Sequence, residues 1–309
     1  YVFGVDIGGT TVKLGYFDAE GNVLDKWEIP TRKEDNGSRI LPDVAASIEK
    51  KIKDAGIDRK DVAGVGVGAP GPIDSDGVVH KAANLGWGVF SIKETLENIL
   101  KLPVMAGNDA NVAALGEMWK GGGQGYKDLV VVTLGTGVGG GIIVNGKMLT
   151  GANGAGGEIG HIHVEDDEQE PCGCGNRGCL EQYSSATGVT RLAKRKLEKT
   201  TQDSVLRTST LSAKSVFDAV KAKDPVAMEI AEQFGQYLGE GLAAIACVTN
   251  PEAFVIGGGV SKAGPVLIDY IRPYYQKAVF HADRDVKFEL ATLGNDAGIY
   301  GAAKLVLDR

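Results

Sequence analysis

Long apolar runs are missing from this chain, and so is any excess of positive charge. No stretch approaches the roughly 18 uninterrupted apolar residues that a membrane-spanning helix needs, so a span is not expected. Lys and Arg number 33 against 40 Asp and Glu, a formal net charge of −7. Binding a phosphate backbone needs a concentrated basic face, so nucleic acid is not an expected partner. The densest basic run, Arg191 to Lys199, lies in a helical pattern and reads as a solvated helix face. The opening residues, YVFGVDIGG, lack the basic segment, apolar core and cleavage site of a secretion signal, which points to a cytoplasmic protein. Cysteine is scarce, with four residues, and three of them fall between positions 172 and 179. That distribution suits a metal site better than a secreted disulfide framework. Two nucleotide-binding signatures are absent as well. There is no GxxxxGK[ST] loop, and no glycine cluster opens a strand-to-helix unit of the dinucleotide-binding kind.

Glycine, by contrast, is abundant. The chain has 45 in 309 residues, about twice the usual share of about 7%. They cluster near positions 8, 66, 123, 138, 156 and 258, where backbone must turn tightly or approach another group closely. Single cores tend to divide beyond roughly 250 residues, so two domains are expected. Alternating apolar residues predict strands over 1–6, 12–18 and 23–29, an antiparallel meander. The spacing of Leu41, Val44, Ala45, Ile48 and Ile52 predicts a helix over about 41–55, stopped by Gly56. Strands over 62–67 and 103–106 follow, with Ser91 and Glu94 as a capping box between them. Helix 110–120 comes next. The plan then repeats from Leu129 through a second hairpin, and Ala253 to Ile256 with its following glycines matches Val62 to Val67. Asp224 and Pro225 predict the start of a long helix reaching about Val248, and Asp296 opens a last one. The halves therefore read as duplicates of one strand-rich α/β unit, joined by the glycine linker 121–125.

The first hairpin, DIGGTTVK, exposes backbone N–H groups that can cradle phosphate oxygens, and Asp6 can hold Mg²⁺ directly or through water. Alone, it is equally an ordinary tight hairpin. LGTGVGGG occupies the matching place in the second half, and two such loops can grip a nucleotide's phosphates from both sides. Gly137 is expected to leave room for phosphate, so that valine there weakens nucleotide binding and spares other ligands. Cys172, Cys174 and Cys179, with His161 or His163 upstream, supply three thiolates and an imidazole for tetrahedral zinc. If 161–163 is extended, the two rings face opposite sides and only one can join. Cys247 reads as a packed core thiol. Asp109 sits between a strand's carboxyl end and a helix's amino end, where it is either a helix cap or a group aimed at a ligand.

Taken together, DIGGTTVK, GAPGPID, GNDANVAALGE, IGGGVS and the segment GGEIGHIHVEDDEQEPCGCGNRGCLE from Gly156 to Glu181 resemble the ROK family of repressors and sugar kinases. The motifs occur in the family's order over essentially the whole chain, and CGCGNRGCLEQYSSATG is most similar to the glucokinase branch. The resemblance implies an α/β fold of two duplicated ribonuclease-H-like domains of the actin and hexokinase type with an interdomain cleft. Their bounds are expected at 1–120 plus 297–309 and at 121–296. It also implies ATP-dependent phosphorylation of the 6-hydroxyl of glucose, with Mg²⁺, a structural Zn²⁺ and a homodimer. In this reading Asp109 is the general base, and Asn84, Asn108, Asp109, Glu158, His161 and Glu181 hold the sugar. Asp6, Gly8, Gly9, Thr10, Thr11 and Lys13 form the first nucleotide loop, Thr136, Gly137 and Gly139 the second, and Gly258 and Gly259 complete the nucleotide site. The resemblance selects His161, with Cys172, Cys174 and Cys179, as the zinc set. The alternatives are an N-acetylmannosamine or N-acetylglucosamine kinase, which shares these motifs, and a non-catalytic sugar-sensing regulator. Regulators of the family carry a DNA-binding segment ahead of the first glycine hairpin, which here begins at Gly8.

Overall fold

A computed structural model describes residues 1–309. The chain opens with β1 (Val2–Ile7), β2 (Thr11–Phe17) and β3 (Val23–Pro30), paired antiparallel in turn. A short turn α1 (Glu34–Gly37) precedes α2 (Ile40–Asp54), β4 (Gly64–Ala69), the ribbon β5 (Val78–Val79) with β6 (Phe90–Ser91), α3 (Ile92–Leu100), β7 (Val104–Asn108) and α4 (Asp109–Lys120). The second series begins with β8 (Leu129–Leu134), β9 (Val138–Val144) and β10 (Lys147–Met148). It continues through α5 (Glu181–Ser184), α6 (Ala186–Lys199), α7 (Ala213–Lys221), α8 (Pro225–Thr249), β11 (Ala253–Gly257), α9 (Val266–Ala278) and β12 (Lys287–Leu290) to α10 (Ala297–Leu307).

The duplication expected from sequence is present in the sheets. One runs β3-β2-β1-β4-β7 and the other β10-β9-β8-β11-β12, so each places its first strand centrally between an antiparallel hairpin and two parallel strands. In both halves three residues join the first strand to the second. The fold is α/β of the expected duplicated type.

Two compact units result, and their limits differ from those read in the sequence. The first comprises Tyr1–Lys127, Gly141–Gly157 and Leu293–Arg309; the second comprises Asp128–Gly140 and Glu158–Thr292. Hydrogen bonds explain the additions to the first unit. The Glu117 backbone oxygen accepts the Gly121 and Gly123 N–H groups, and its carboxylate accepts Gly122 N–H at 2.8 Å and Leu293 N–H at 3.0 Å. That holds the linker and residue 293 to α4. Asn111 Nδ2 likewise donates to Gly156 O at 3.0 Å, keeping 141–157 with the same helix.

In the first unit, strand alternation sends Phe3, Val5 and Ile7 to one face, where they pack with Ile40, Leu41, Val44, Ile48 and Ile52 of α2 and Leu96 of α3. The other face takes Val2 and Phe17 with Ile299, Ala303 and Val306 of α10. Here the backbones meet almost directly. A Cβ on Gly4 would lie 2.0 Å from Ile299 O, one on Gly66 1.7 Å from Ala302 O, one on Gly116 2.2 Å from Ala297 O and one on Gly301 1.6 Å from Val112 O. Four glycines thus let α10 settle against β1, β4 and α4.

The second unit is held by α8, whose Asp224 cap accepts Ala227 N–H ahead of Pro225, as the sequence predicts, and which ends at left-handed Asn250. Two expected caps differ. Ser91 Oγ accepts Glu94 N–H as one half of a box, whereas Asp296 pairs with Lys26 instead of capping α10. Cys247 is exposed on α8, so it is not a core thiol. No helix is long and apolar enough to cross a membrane.

Replacing Gly66 by alanine forces a methyl group into backbone that cannot withdraw. The expected loss of stability is about 3 kcal/mol or more, the upper range for overpacking, read as a shifted denaturation midpoint. Gly88→Ala, where the new Cβ meets nothing within 4 Å, should stay within about 0.5 kcal/mol of the parent. Equal midpoints for the two variants would refute the close-packing account.

Candidate active site

Strand alternation puts Asp6 on the α10 face of β1, beside the glycine that starts that helix: a Cβ on Gly298 would stand 2.5 Å from the Asp6 carboxyl carbon. Lys13 is its cross-strand partner. Burial, then repulsion from the Asp109 carboxylate, push the Asp6 carboxyl up to about 6, with Lys13 pulling the other way. Asp109 is the first residue of α4 and is itself raised by burial, against the lowering effect of backbone N–H groups and Asn108. The cap of α4 is Asn108, whose Oδ1 accepts Ala110 N–H at 3.0 Å and Asn111 N–H at 3.2 Å. Asn108, and not Asp109, is therefore the N-cap of the helix. Asp109 Oδ1 accepts Ala110 N–H at 2.8 Å. Asn108 is largely committed, since its Nδ2 also donates to Gly71 O.

The two glycine loops close in different ways. In the first, Gly8 N–H bonds to Thr11 O at 3.0 Å and Thr31 Oγ1 bonds to Gly8 O, so Gly8, Gly9, Thr10 and Thr11 form a pinned turn at the end of β1. A Cβ on Gly9 would meet nothing within 4 Å, which leaves open space over that backbone. In the second, Gly135 N–H bonds to Gly137 O at 3.0 Å, with Thr136 exposed at the tip and Gly139 following in β9. A Cβ on Gly137 would stand 2.5 Å from Glu181 Oε2. Valine there would displace the Glu181 carboxylate, so Gly137→Val is not the selective nucleotide probe expected from sequence. Gly258, left-handed at φ 82°, lies against the Leu134 backbone, and exposed Gly259 starts the turn beyond β11.

The metal-ligand set converges in the second unit. One donor atom from each of His161, Cys172, Cys174 and Cys179 lies within 4.8 Å of every other. Cys174 Sγ and Cys179 Sγ are 3.7 Å apart, as are Cys172 Sγ and His161 Nδ1. A tetrahedron with metal–sulfur arms of about 2.3 Å has edges of about 3.7 Å, so the donors fit zinc. Burial pushes the Cys172 thiol far up, while the Asn176 N–H helps hold Cys174 below its usual value. A buried thiolate at Cys172 needs a cation beside it. His163 lies outside the set, with Nδ1 on Arg177 O at 2.9 Å and Nε2 on Asp166 at 2.8 Å. Residues 159–161 form a 3₁₀ turn, so the segment is not wholly extended.

Glu181 borders this cluster. Its Oε1 accepts from Cys172 Sγ at 2.9 Å and lies 3.9 Å from His161 Nδ1, and its Oε2 faces Val138 N–H at 3.4 Å. His161 turns its other nitrogen, Nε2, to Glu158 at 3.9 Å. The structure thus gathers His161, Glu158 and Glu181 in the second unit, and Asp109 and Asn108 in the first; Asn84 is exposed on a 3₁₀ turn of the first unit. Trp87 is 5% exposed, donates to Gly37 O and packs edge-on to Phe90, so it belongs to the core.

Sequence reasoning overlooked three buried polar residues. Asn111 and Glu117 lie inside GNDANVAALGE and tie other segments to α4, and Glu168 lies in the acidic stretch before Cys172. Arg191 and Arg195 are not a solvated face, since both bind Glu168.

Comparison with known proteins gives a consistent picture. The ROK family profile matches residues 2–309. A glucokinase of Halalkalibacterium halodurans is 45% identical over 98% of this chain and 94% of its own length. Among solved structures, a ROK family glucokinase from Streptomyces griseus, in complex with glucose and AMPPNP, is 36% identical with a TM-score of 0.77, covering 98% of each chain. The ROK hexokinase from Thermus thermophilus is 32% identical with a TM-score of 0.81, covering 98% and 97%. With the glycine hairpins, the Asp109 position and the Cys₃His cluster all present in a chain matched from end to end, this protein belongs to the ROK family.

Proposed function

We propose that the protein is an ATP-dependent glucokinase that transfers the γ-phosphoryl group to the 6-hydroxyl of glucose, with Asp109 as general base. The observation that carries the mechanism is the placement of Asp109, a half-buried carboxylate at a helix amino end whose cap is supplied by its neighbour. Attack on a phosphoryl group needs the hydroxyl oriented and its proton accepted as the new bond forms. The Asp109 carboxylate takes that proton. Its raised pKa brings its basicity closer to neutral pH than that of an exposed aspartate. Asn84, Asn108, Glu158, His161 and Glu181 are the proposed partners of the sugar hydroxyls, each of which donates and accepts. Backbone N–H groups of Gly8 to Thr11 and Thr136 to Gly139 hold phosphate oxygens, with Lys13 supplying charge and Gly258 and Gly259 the remaining nucleotide contacts. Asp6 is the carboxylate on this chain that would hold Mg²⁺ directly or through water, and the ion would supply neutralisation of the phosphate charge.

His161, Cys172, Cys174 and Cys179 would fill all four positions of a tetrahedral zinc, so that the ion would be structural, with no position left for substrate. His161 would ligate through Nδ1, the nitrogen that faces Cys172, which would leave Nε2 for the sugar. A coupled assay should show saturable phosphorylation of glucose by ATP, exceeding that of mannose, fructose and the N-acetyl hexosamines. Preference for an N-acetyl hexosamine would reassign the substrate, and no turnover of any sugar would remove the kinase reading.

For Asp109→Asn, turnover should fall by about 10² or more, the usual effect of losing a positioned base, while glucose binding measured by calorimetry changes far less. The acid limb of kcat/KM should lie above the ordinary aspartate range in the parent, because Asp109 is raised by burial and Asp6 is raised to about 6, and activity is lost as pH falls through their pKa values. A limb near pH 4 would contradict the paired-carboxylate geometry.

Asp6 should also weaken the unliganded fold. Its folded pKa is raised from 3.8 to about 6, so the folded state holds the proton more tightly and stability falls as pH rises across that interval. Above it the penalty reaches up to about 3 kcal/mol. Asp6→Asn should therefore be inactive yet more stable than the parent at pH 7.5, with the gap closing toward pH 4. A variant less stable at pH 7.5 would overturn the argument.

Elemental analysis should find about one zinc per chain, and Cys174→Ser should lose the metal together with most glucose affinity. Metal-free parent protein with full glucose affinity would remove zinc from the proposal.

A further inference from the structure

Glu168 is the most heavily bonded side chain of the second unit, and no step proposed above uses it. Its side chain is 1% exposed. Around it stand Tyr183 O–H, both guanidinium groups of Arg191 and Arg195, and the Glu170 N–H. Arg195 donates to Oε1 at 3.0 Å and to Oε2 at 3.1 Å, and Glu170 N–H donates to Oε1 at 2.9 Å, while Tyr183 and Arg191 both donate to Oε2. Burial would push this carboxyl up, but the bonds from Arg195, Tyr183, Glu170 and Arg191 outweigh it and hold it far below the usual carboxylate range. A carboxylate so enclosed is ionised and fixed in place.

The groups it fixes lead to the candidate site by two short routes. Tyr183 belongs to the single turn α5, whose first residue is Glu181. Arg191 also donates to Gln182 O at 3.0 Å, and Gln182 in turn accepts Cys179 N–H and donates to Glu170 O, each at 3.0 Å. The turn bearing Glu181 is thus held at Gln182 and Tyr183 by the loop that Glu168 anchors. The second route runs along α6, which carries Arg191 and Arg195. The first turn of that helix bonds to the second glycine loop, with Ala186 N–H on Gly135 O at 2.8 Å and Thr187 Oγ1 on Thr136 O.

We infer that Glu168 is a positioning residue for the sugar-phosphorylating site: by clamping α5 and α6 together it sets where Glu181 and the Gly135–Gly137 loop stand. The inference rests on the proposed sugar kinase activity. Ionisation matters here as well as shape, because a neutral amide in this enclosure cannot accept from two guanidinium groups and a phenol at once, and its own N–H₂ group would face their donors. The resulting displacement acts on Glu181 before it acts on the distant core. Tyr183 is stacked on Tyr237 at 4.1 Å between centroids, and Tyr237 O–H is tied to Glu165, so the ring stays in place when only its hydroxyl is removed.

The test uses full-length protein with zinc retained. Glu168→Gln and Tyr183→Phe are compared with the parent for the KM of glucose, the KM of ATP, kcat, zinc content and thermal midpoint. Glu168→Gln is expected to raise the KM of glucose about tenfold and that of ATP about threefold, with kcat changed less than either and zinc still at one per chain. Tyr183→Phe, which removes one of the bonds and little else, should raise the KM of glucose two- to threefold with a midpoint close to the parent's. A lowered midpoint with both KM values unchanged in Glu168→Gln would make the cluster a stability element only and overturn the inference. So would loss of zinc that fully accounts for the lost glucose affinity. If Glu168→Gln does not fold, unchanged KM values in Tyr183→Phe overturn it by themselves. Failure of the parent to phosphorylate any sugar would instead strike the proposed function, so the two failures are distinguishable.

Discussion

Contact between backbones without intervening side chains is the constraint on which the first unit depends. Helix α10 lies against β1, β4 and α4 at separations that exclude a Cβ on Gly4, Gly66, Gly116 and Gly301. Because these glycines let the helix descend fully onto the sheet, its first turn reaches the end of β1, where Gly298 meets Asp6. The same approach draws α4 in, and α4 starts with Asp109. High glycine content is thus not only a matter of loops: much of it allows helices to bring two strand ends and two helix starts together. Glycine costs about 1 kcal/mol in a helix interior relative to alanine, which the gain in close packing offsets.

That packing forces two carboxylates into mutual repulsion with little water to relieve it. A chain selected for stability alone would place an amide or an apolar side chain at position 6. Keeping aspartate at positions 6 and 109 leaves a concentration of negative charge that is unfavourable until cationic groups and substrate fill the site. Lys13 offsets part of it from across the hairpin, and it is itself anchored to Asn295 O at 2.9 Å near the start of α10. The second unit solves a related problem differently. Its buried acid, Glu168, is surrounded by permanent donors, so it is settled in the folded chain without any ligand. The distinction separates a carboxylate kept for chemistry from one kept for geometry.

What the sequence disclosed follows from how local each cause is. The apolar spacing from Leu41 to Ile52 needs only the helical period, and the helix stands at Ile40–Asp54. Asp224 and Pro225 announce α8 through their own side chains. Cys172, Cys174 and Cys179 converge because one short stretch with intervening glycines leaves them little choice, and the resemblance resolved His161 from His163. Long-range partners were not legible. Arg191 and Arg195 look solvated because the acid that binds them lies 23 and 27 residues earlier. The unit limits were misplaced for a similar reason: Glu117, a side chain inside α4, reaches across 176 residues to Leu293. Local pattern thus defines the elements and the metal loop, whereas buried ionic contacts decide which segments travel together.

The duplication sharpens this contrast. Strands β1 and β8 have six residues each, a similar burial of successive positions and the same three-residue connection to the next strand. At the fifth place, where β1 carries Asp6, β8 carries Thr133. One backbone plan therefore supplies two glycine turns, but only the first adds a carboxylate beneath its turn. With threonine in the second, that loop offers neutral donors while charge stays concentrated where Asp6 and Asp109 already lie. The second half diverged instead between β10 and β11, where a long insertion carries the Cys₃His cluster and Glu181. Symmetry of backbone with asymmetry of charge thus divides the proposed chemistry between the halves. The Asp6 and Asp109 pair lies in the first, and the Cys₃His cluster with Glu158 and Glu181 lies in the second.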